Sequence, residues 1–274
     1  MKLNVFAIIV VAVTLASCGD YNQVLKSTDY EYKYEAAKQY FAEGKYNRAI
    51  SLLEESIAIM KGTDKAEESL YMLAMSNYEL GDYESASMYF KKYYGSYPKG
   101  VYAEYARYYA GRALYLSTPE ARLDQTDTQY ALNELQTFLE YYPSTSLKQN
   151  VHKMIFALQD KLVEKEMLSA KLYYNLGSYF GNCTSGGSNY QACVVTAQNA
   201  LNDYPYAKQR EELSALVVKA KYQLAVQSVE EKKEERYRET VDEYYGFKNE
   251  FPESKYLKEL DHILKESEKN IKTN

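Results

Sequence analysis

The 274-residue sequence predicts an all-α fold, a superhelical solenoid of about five helix pairs. Three observations carry that expectation. An aromatic-proline pair returns four times, at Tyr97-Pro98, Tyr142-Pro143, Tyr204-Pro205 and Phe251-Pro252. Twelve positions before each proline stands a small residue, Ala86, Ala131, Cys193 or Thr240, with Tyr83, Thr128, Tyr190 or Tyr237 three positions earlier still. Between these marks apolar residues recur every three or four positions, as at Leu132, Leu135, Phe138 and Leu139, which is the stripe of an amphipathic helix.

The elements follow in order. A first copy, without its proline, has Ala37 and Tyr40 on one helix and Tyr46, Ala49, Leu52, Leu53, Ser56, Ile57 and Met60 on the next, with Gly44 at the break. The second has Leu70, Leu73 and Ala74, then Gly81, then Tyr83, Ala86 and Phe90 before Pro98. Gly44 and Gly81 are expected to end their helices by taking the left-handed conformation of a tight turn. The third copy carries Gly111 and Leu114 and then an insertion from about Ser117 to Thr128. A separate helical stretch is expected from Val151 to Lys165. The fourth copy runs through Leu176, Gly177, Phe180, Tyr190, Ala197, Ala200 and Pro205, with Ser185-Gly186-Gly187-Ser188 as a flexible turn between its helices. In the fifth, the charged run Glu230 to Arg238 reads as an interruption, a solvated helix end or turn. This unit resembles the tetratricopeptide repeat, in which small and aromatic positions let two antiparallel helices pack closely. The resemblance implies a stack that buries its apolar faces between neighbours and lines a concave face with the first helix of every pair.

The first residues read as an export leader. Lys2 supplies a positive start, and Leu3 to Leu15 is apolar but short of the roughly 20 residues that span a bilayer. Leu15-Ala16-Ser17-Cys18 resembles the lipobox of bacterial lipoproteins, which implies cleavage before Cys18 and lipidation of its thiol. The three acyl chains that this implies exceed the two signals that stable anchoring takes. The alternative is an ordinary secretory leader that happens to contain a cysteine.

Composition narrows the function. The net charge is −5, and −6 once Lys2 leaves with the leader, so there is no basic footprint for nucleic acid. His152 and His262 are far apart and stand beside no ligand-spaced acid or cysteine, so no metal site and no cofactor is expected. No glycine-rich loop follows a strand. Asn182-Cys183-Thr184 has the form of a glycosylation acceptor, a short pattern with many false matches. Cys193 reads as a small buried helix residue and Cys183 as a loop residue, with a disulfide between them as the alternative. The 32 tyrosines, against no tryptophan, suit a fold with much surface for its core. A binding protein without catalytic activity is the expectation.

The inward positions of the first helices are read as Tyr34, Lys38 and Phe41, then Tyr71, Met75 and Tyr78, then Tyr105, Tyr108, Arg112 and Tyr115. They form an aromatic trough suited to an extended peptide, with Lys38 or Arg112 to pair a carboxylate. Tyrosine is also an ordinary packing residue in such repeats, and that reading stays open for each ring.

The whole chain resembles the BamD family, lipoproteins of the machinery that assembles β-barrels into the outer membrane of diderm bacteria. The resemblance rests on the lipobox, the repeats and three stretches: the loop Arg122-Leu123-Asp124-Gln125-Thr126-Asp127, the run Leu158 to Tyr174, and Leu201-Asn202-Asp203-Tyr204-Pro205. It implies an outer-membrane, lipid-anchored, periplasm-facing protein. Its partners would be unfolded outer-membrane protein precursors, the periplasmic domain of the barrel-forming subunit and accessory assembly lipoproteins. The implied organisation is a signal peptide over 1–17, a lipidated linker over 18–29, a substrate-side half over 30–146 and a docking half over 147–274. Arg122, Asp124, Asp127, Asn202 and Asp203 are the implied docking residues. Two departures stand out: Cys183 to Ser188 is longer than the corresponding turn, and Asn202 stands where a basic residue is expected. The rival readings are a periplasmic scaffold for another envelope or secretion assembly, and a glycan-binding lipoprotein lacking the usual tryptophan platforms.

Overall fold

The computed structural model describes residues 21–179 and 188–271. The expectations for the leader and Cys18, for Phe180, and for Asn182 to Gly187 with any pairing of Cys183 lie outside the described residues.

Among the described residues the regular elements are helices alone. After a short helical turn at 21–26 come α1 (Tyr30–Ala42), α2 (Tyr46–Ile57), α3 (Asp64–Glu79), α4 (Tyr83–Ser96), α5 (Ala103–Ser117) and α6 (Thr126–Tyr141). They are followed by α7 (Lys148–Leu176), α8 (Asn189–Asp203), α9 (Arg210–Val226), α10 (Glu230–Glu250) and α11 (Leu257–Lys269). The chain divides into two compact units. One holds the chain up to Thr118 together with Asp127–Met154; the other holds Pro119–Thr126 and the chain from Ile155 on. In the first, each of α1 to α4 packs on the next and α1 also lies against α3. In the second, α8 to α11 pack in the same consecutive way, with α9 against α11. Within each unit this is the nearest-neighbour packing of a helical solenoid.

The sequence marks explain the local structure. Gly44 and Gly81 have φ of 72° and 79°, so the chain leaves α1 and α3 through the left-handed turn that an L side chain would resist. Asp29 and Asp82 cap the helices that follow them, accepting from Glu31, Tyr32 and Ser85 amides. Ala49, Ala86, Ala131, Cys193 and Thr240 are all fully buried, which is why a small side chain recurs there. The residue before each proline is pushed out of the helical region: Tyr97, Tyr204 and Phe251 share φ near −130° and ψ near 65° (−127/65, −131/69 and −127/66). Their amides still donate one turn back, and Tyr97, Tyr142 and Phe251 lay their rings 5.7, 5.4 and 5.3 Å from Tyr93, Phe138 and Phe247.

Two expectations are corrected. Val151 to Lys165 is not a separate helix but part of α7, which runs unbroken for 29 residues because no glycine or proline stands between Lys148 and Leu176. The run Glu230 to Arg238 is the solvated helix end of the two readings, not a turn, and it does not interrupt its copy. It forms the first turns of the 21-residue α10, where Glu230 and Glu231 meet the positive end of the helix dipole and Lys233–Glu230 and Arg238–Glu234 pair along the surface. The insertion of the third copy is the segment between Ser117 and Thr126, closed by the buried Gln125, whose amide donates to the Glu120 and Leu123 carbonyls.

A second recurring device carries no apolar signal. A glutamate in the early part of a first helix locks the turn that ends the second helix of the same pair. Glu104 accepts from Thr145 Oγ1 at 2.6 Å and Glu211 from Ser254 Oγ at 2.6 Å, and each hydroxyl in turn accepts an amide two residues on. In the second copy that hydroxyl position is Gly100, and Glu67 reaches the backbone itself. Its Oε1 accepts from Tyr93 Oη and from the Val101 amide at 2.8 Å, while Tyr93 Oη accepts from the Tyr102 amide at 3.0 Å. A Cβ at Gly100 would lie 2.4 Å from that carboxylate oxygen.

Candidate functional site

In the first unit the first helices of successive pairs are joined by polar and aromatic contacts. Between α1 and α3, Tyr34 Oη donates to Glu68, Lys38 Nζ pairs with Glu68 at 3.0 Å, and Lys65 pairs with Glu31. Between α3 and α5, Tyr71 stacks on Tyr102, which lies just before α5, with centroids 4.3 Å apart and planes 16° apart; Tyr78 meets Tyr109 edge-on at 5.1 Å. Tyr71 is backed by Phe90 and Tyr93 at 5.8 and 5.7 Å, and Tyr109 stacks on Phe90 at 5.6 Å. Such ring pairs contribute about 0.5–1.5 kcal/mol each beyond their area. The aromatic positions are therefore held by neighbouring rings before any ligand arrives.

The ten trough residues fall into three groups. Tyr34 and Tyr108, 3% and 6% exposed, sit in the core; Tyr108 packs on Phe138 at 5.9 Å. They cement helices and offer no surface, which corrects the inward reading for those two. Phe41 is half-buried edge-on against Tyr46, and Lys38 is already bound to Glu68, so neither stands ready for a ligand. The remaining six keep accessible surface: Tyr71, Met75, Tyr78 and Tyr115 half-buried, Tyr105 51% exposed, and Arg112 with its guanidinium 5.7 Å from the Tyr78 ring. Among the described residues no carboxylate pairs with Arg112. Tyr102 and Tyr109 belong to the same patch and were missed by the sequence reading, because α5 carries tyrosine on more than one face and spacing alone does not choose between them.

Two phenols of this patch, Tyr71 and Tyr78, are held protonated. Burial pushes Tyr78 up to about 12, with the Arg112 charge acting the other way. Burial raises Tyr71 further, helped by the neighbouring Tyr109, Tyr102 and Tyr105. The surface is thus neutral aromatic with one cation, suited to apolar or aromatic side chains and one carboxylate.

The docking residues lie elsewhere. Arg122 pairs with Glu120 at 2.9 Å on the exposed side of the loop, and its carbonyl accepts from Lys165 Nζ of α7 at 2.9 Å. Asp124 accepts from the Thr126 amide, and Thr126 holds its carboxyl below the usual range. Asp127 is exposed in the first turn of α6. Asn202 and Asp203 are exposed at the end of α8. Asn202 lines a cavity of about 450 Å³ with Gln198, Arg210, Ser214, Glu243 and Glu250, in which Arg210 grips Glu250 and donates to the Leu201 carbonyl at 3.1 Å. Arg210 supplies a cation one helix away from the place where the sequence expectation sought it.

Cys193 is buried in the apolar cluster of α7, α8 and α9, and burial pushes its thiol up to about 12, out of reach of thiolate chemistry. His152 is half-buried and His262 exposed. Among the described residues no group of three His, Cys, Asp or Glu side chains could hold a metal ion, and no helix is long and apolar enough to cross a membrane.

Comparison with known proteins adds the family. The family described as YfiO, outer membrane lipoprotein, matches residues 27–235. The outer membrane protein assembly factor BamD of Caulobacter vibrioides is 23% identical over 175 residues, 62% of this chain. The match spans 57% of that relative, a little over half its length. Two crystal structures of kinesin light chain TPR-like repeats from Podosopora anserina are similar over 82% and 83% of this chain and 96% and 100% of theirs, at 15% and 14% identity, each with a TM-score of 0.32. Because that family model covers well over half of the sequence, the chain belongs to the YfiO family of outer membrane lipoproteins.

Proposed function

We propose that this protein is a non-enzymatic subunit of the outer-membrane β-barrel assembly machinery, anchored through lipid on Cys18 and facing the periplasm. In this reading the first-helix face of the first unit, with Tyr71, Met75, Tyr78, Tyr105, Arg112 and Tyr115, receives an extended segment of an unfolded precursor. The half over 147–274, with Arg122, Asp124 and Asp127 before it and Asn202 and Asp203 within it, couples that precursor to the periplasmic domain of the barrel-forming subunit and to accessory lipoproteins. The family match over residues 27–235 is the observation that carries the reading. The neutral tyrosine patch with the acid-free Arg112 supports it, because side chains of that kind recognise extended peptides without chemistry.

Purification of the native protein from detergent-solubilised membranes tests it. A barrel-forming assembly subunit is expected among the stoichiometric partners, together with small lipoproteins. Recovery with the components of a secretion or other envelope assembly, and without a barrel-forming subunit, would replace this reading with that of a scaffold.

A further inference from the structure

On α5, Arg107 lies closer to two aromatic rings than Arg48, which stands 5.1 and 5.4 Å from Tyr21 and Tyr40. Its guanidinium carbon lies 4.1 Å from the ring centroid of Tyr94 on α4 and 3.8 Å from that of Tyr141 on α6. Two aromatic faces at stacking distance hold the guanidinium plane and leave its N–H edge as the polar contact surface. Among the described residues no carboxylate pairs with it. The acids nearby are already engaged: Glu134 accepts from Tyr94 Oη at 2.8 Å and pairs with Lys91 at 3.5 Å, and Glu104 accepts from Thr145. Arg107 follows Tyr105 by two positions, about 200° around the helix, so it points away from the patch that carries Tyr105. Tyr141 is 63% exposed.

We infer that Arg107, clamped by Tyr94 and Tyr141, is a second binding site, for the carboxylate of an aspartate or glutamate side chain on a partner protein. The planar fork matches a carboxylate through two parallel hydrogen bonds, and stacking fixes the fork before binding, so little side-chain entropy is lost. An arginine flanked by tyrosines is also the composition of an interface hot spot. A membrane surface is the poorer fit, because attraction to anionic lipid takes a cluster of cations and this chain carries a net charge of −5. The site does not rest on the precursor-binding reading, since it lies on the other side of α5.

Photo-cross-linking in native membranes tests it on the full chain. A p-benzoylphenylalanine placed at position 141 keeps a ring over Arg107, and a second at position 105 reports the tyrosine patch separately. The expected result is an adduct from position 141 to a protein segment bearing Asp or Glu. Its yield should fall by about tenfold or more in Arg107→Gln, and clearly in Arg107→Lys, which keeps the charge without the fork. Adducts from position 105 should be unchanged in both variants, which shows that the chain still folds. Pairing Arg107→Glu with reversal of the mapped acid to arginine should restore the adduct. The inference is overturned by no adduct at 141, by adducts to lipid or to segments without an acid, or by adducts indifferent to Arg107. Loss at position 105 alone would count against the precursor-binding reading and leave this one standing.

Discussion

Replacing Tyr93 by alanine is expected to destabilise the first unit by about 3–5 kcal/mol, the range for deleting a large buried aromatic side chain. The ring is fully buried and lies 5.7 Å from both Tyr71 and Tyr97 and 6.4 Å from Tyr102. Its hydroxyl closes the glutamate lock, donating to Glu67 and accepting the Tyr102 amide. Tyr93→Phe separates the two contributions: it keeps the packing but leaves the Tyr102 amide without its acceptor, at about 1–3 kcal/mol. Urea unfolding measures both, and hydrogen exchange at the Val101 and Tyr102 amides localises the loss. Because Tyr93 backs Tyr71, the alanine variant should also loosen the candidate binding patch. Phenylalanine and alanine variants of equal stability to the native chain would show that the lock carries nothing.

Alkali is expected to unfold the protein cooperatively between about pH 10 and 12. Burial pushes Tyr34 up to about 12, aided by its bond to Glu68, and Tyr78 to about 12; Tyr71, Tyr93, Tyr94 and Tyr244 are raised further, burial being the first cause in each. A tyrosine whose folded pKa lies above its unfolded value of 10.0 contributes stability that is complete below pH 10 and is lost as pH rises toward the folded value. Several such groups titrating together give a steep loss. Tyrosinate absorbance should therefore go on rising above pH 10, these buried rings ionising only as helical circular dichroism disappears. One step near pH 10 with helicity intact would contradict the account. The acid side has a smaller counterpart. Tyr34, first among its causes, holds the Glu68 carboxyl below its ordinary range, so the link between α1 and α3 contributes above that range and fades as pH falls below 4.5.

What the sequence made legible follows from which residues restrict the backbone or exclude volume. The aromatic-proline pairs and Gly44 and Gly81 were readable because proline excludes the helical region for the residue before it and glycine alone takes the left-handed turn freely. The small residues were readable because close helix packing excludes larger ones. The continuity of α7 and α10 was not: a run of charge such as Glu230 to Arg238 is compatible with helix or turn until its neighbours pair along the surface. Nor were the locks of Glu67, Glu104 and Glu211, since an acid in a first helical turn is common for the dipole alone and its partner lies 34 to 43 residues away. Within the candidate site, a three-four spacing marks a helix face without saying how deep it lies. Tyr34 and Tyr108 share their spacing with surface rings, yet the adjoining helices cover them. Arg107 stood in the sequence as one more charge, and only the rings of Tyr94 and Tyr141, brought from two other helices, distinguish it.

The central claim, that the first-helix face of the first unit holds an extended chain, is tested most directly by titrating the detergent-solubilised full-length protein with a labelled peptide ending in phenylalanine. Fluorescence anisotropy would compare the native protein with Tyr105→Ala combined with Arg112→Gln, two side chains outside the core. The account predicts affinity weaker by at least about fivefold, or ~1 kcal/mol, for the lost ring and ion contacts. Equal affinity in the two proteins, with both fully folded, would contradict it.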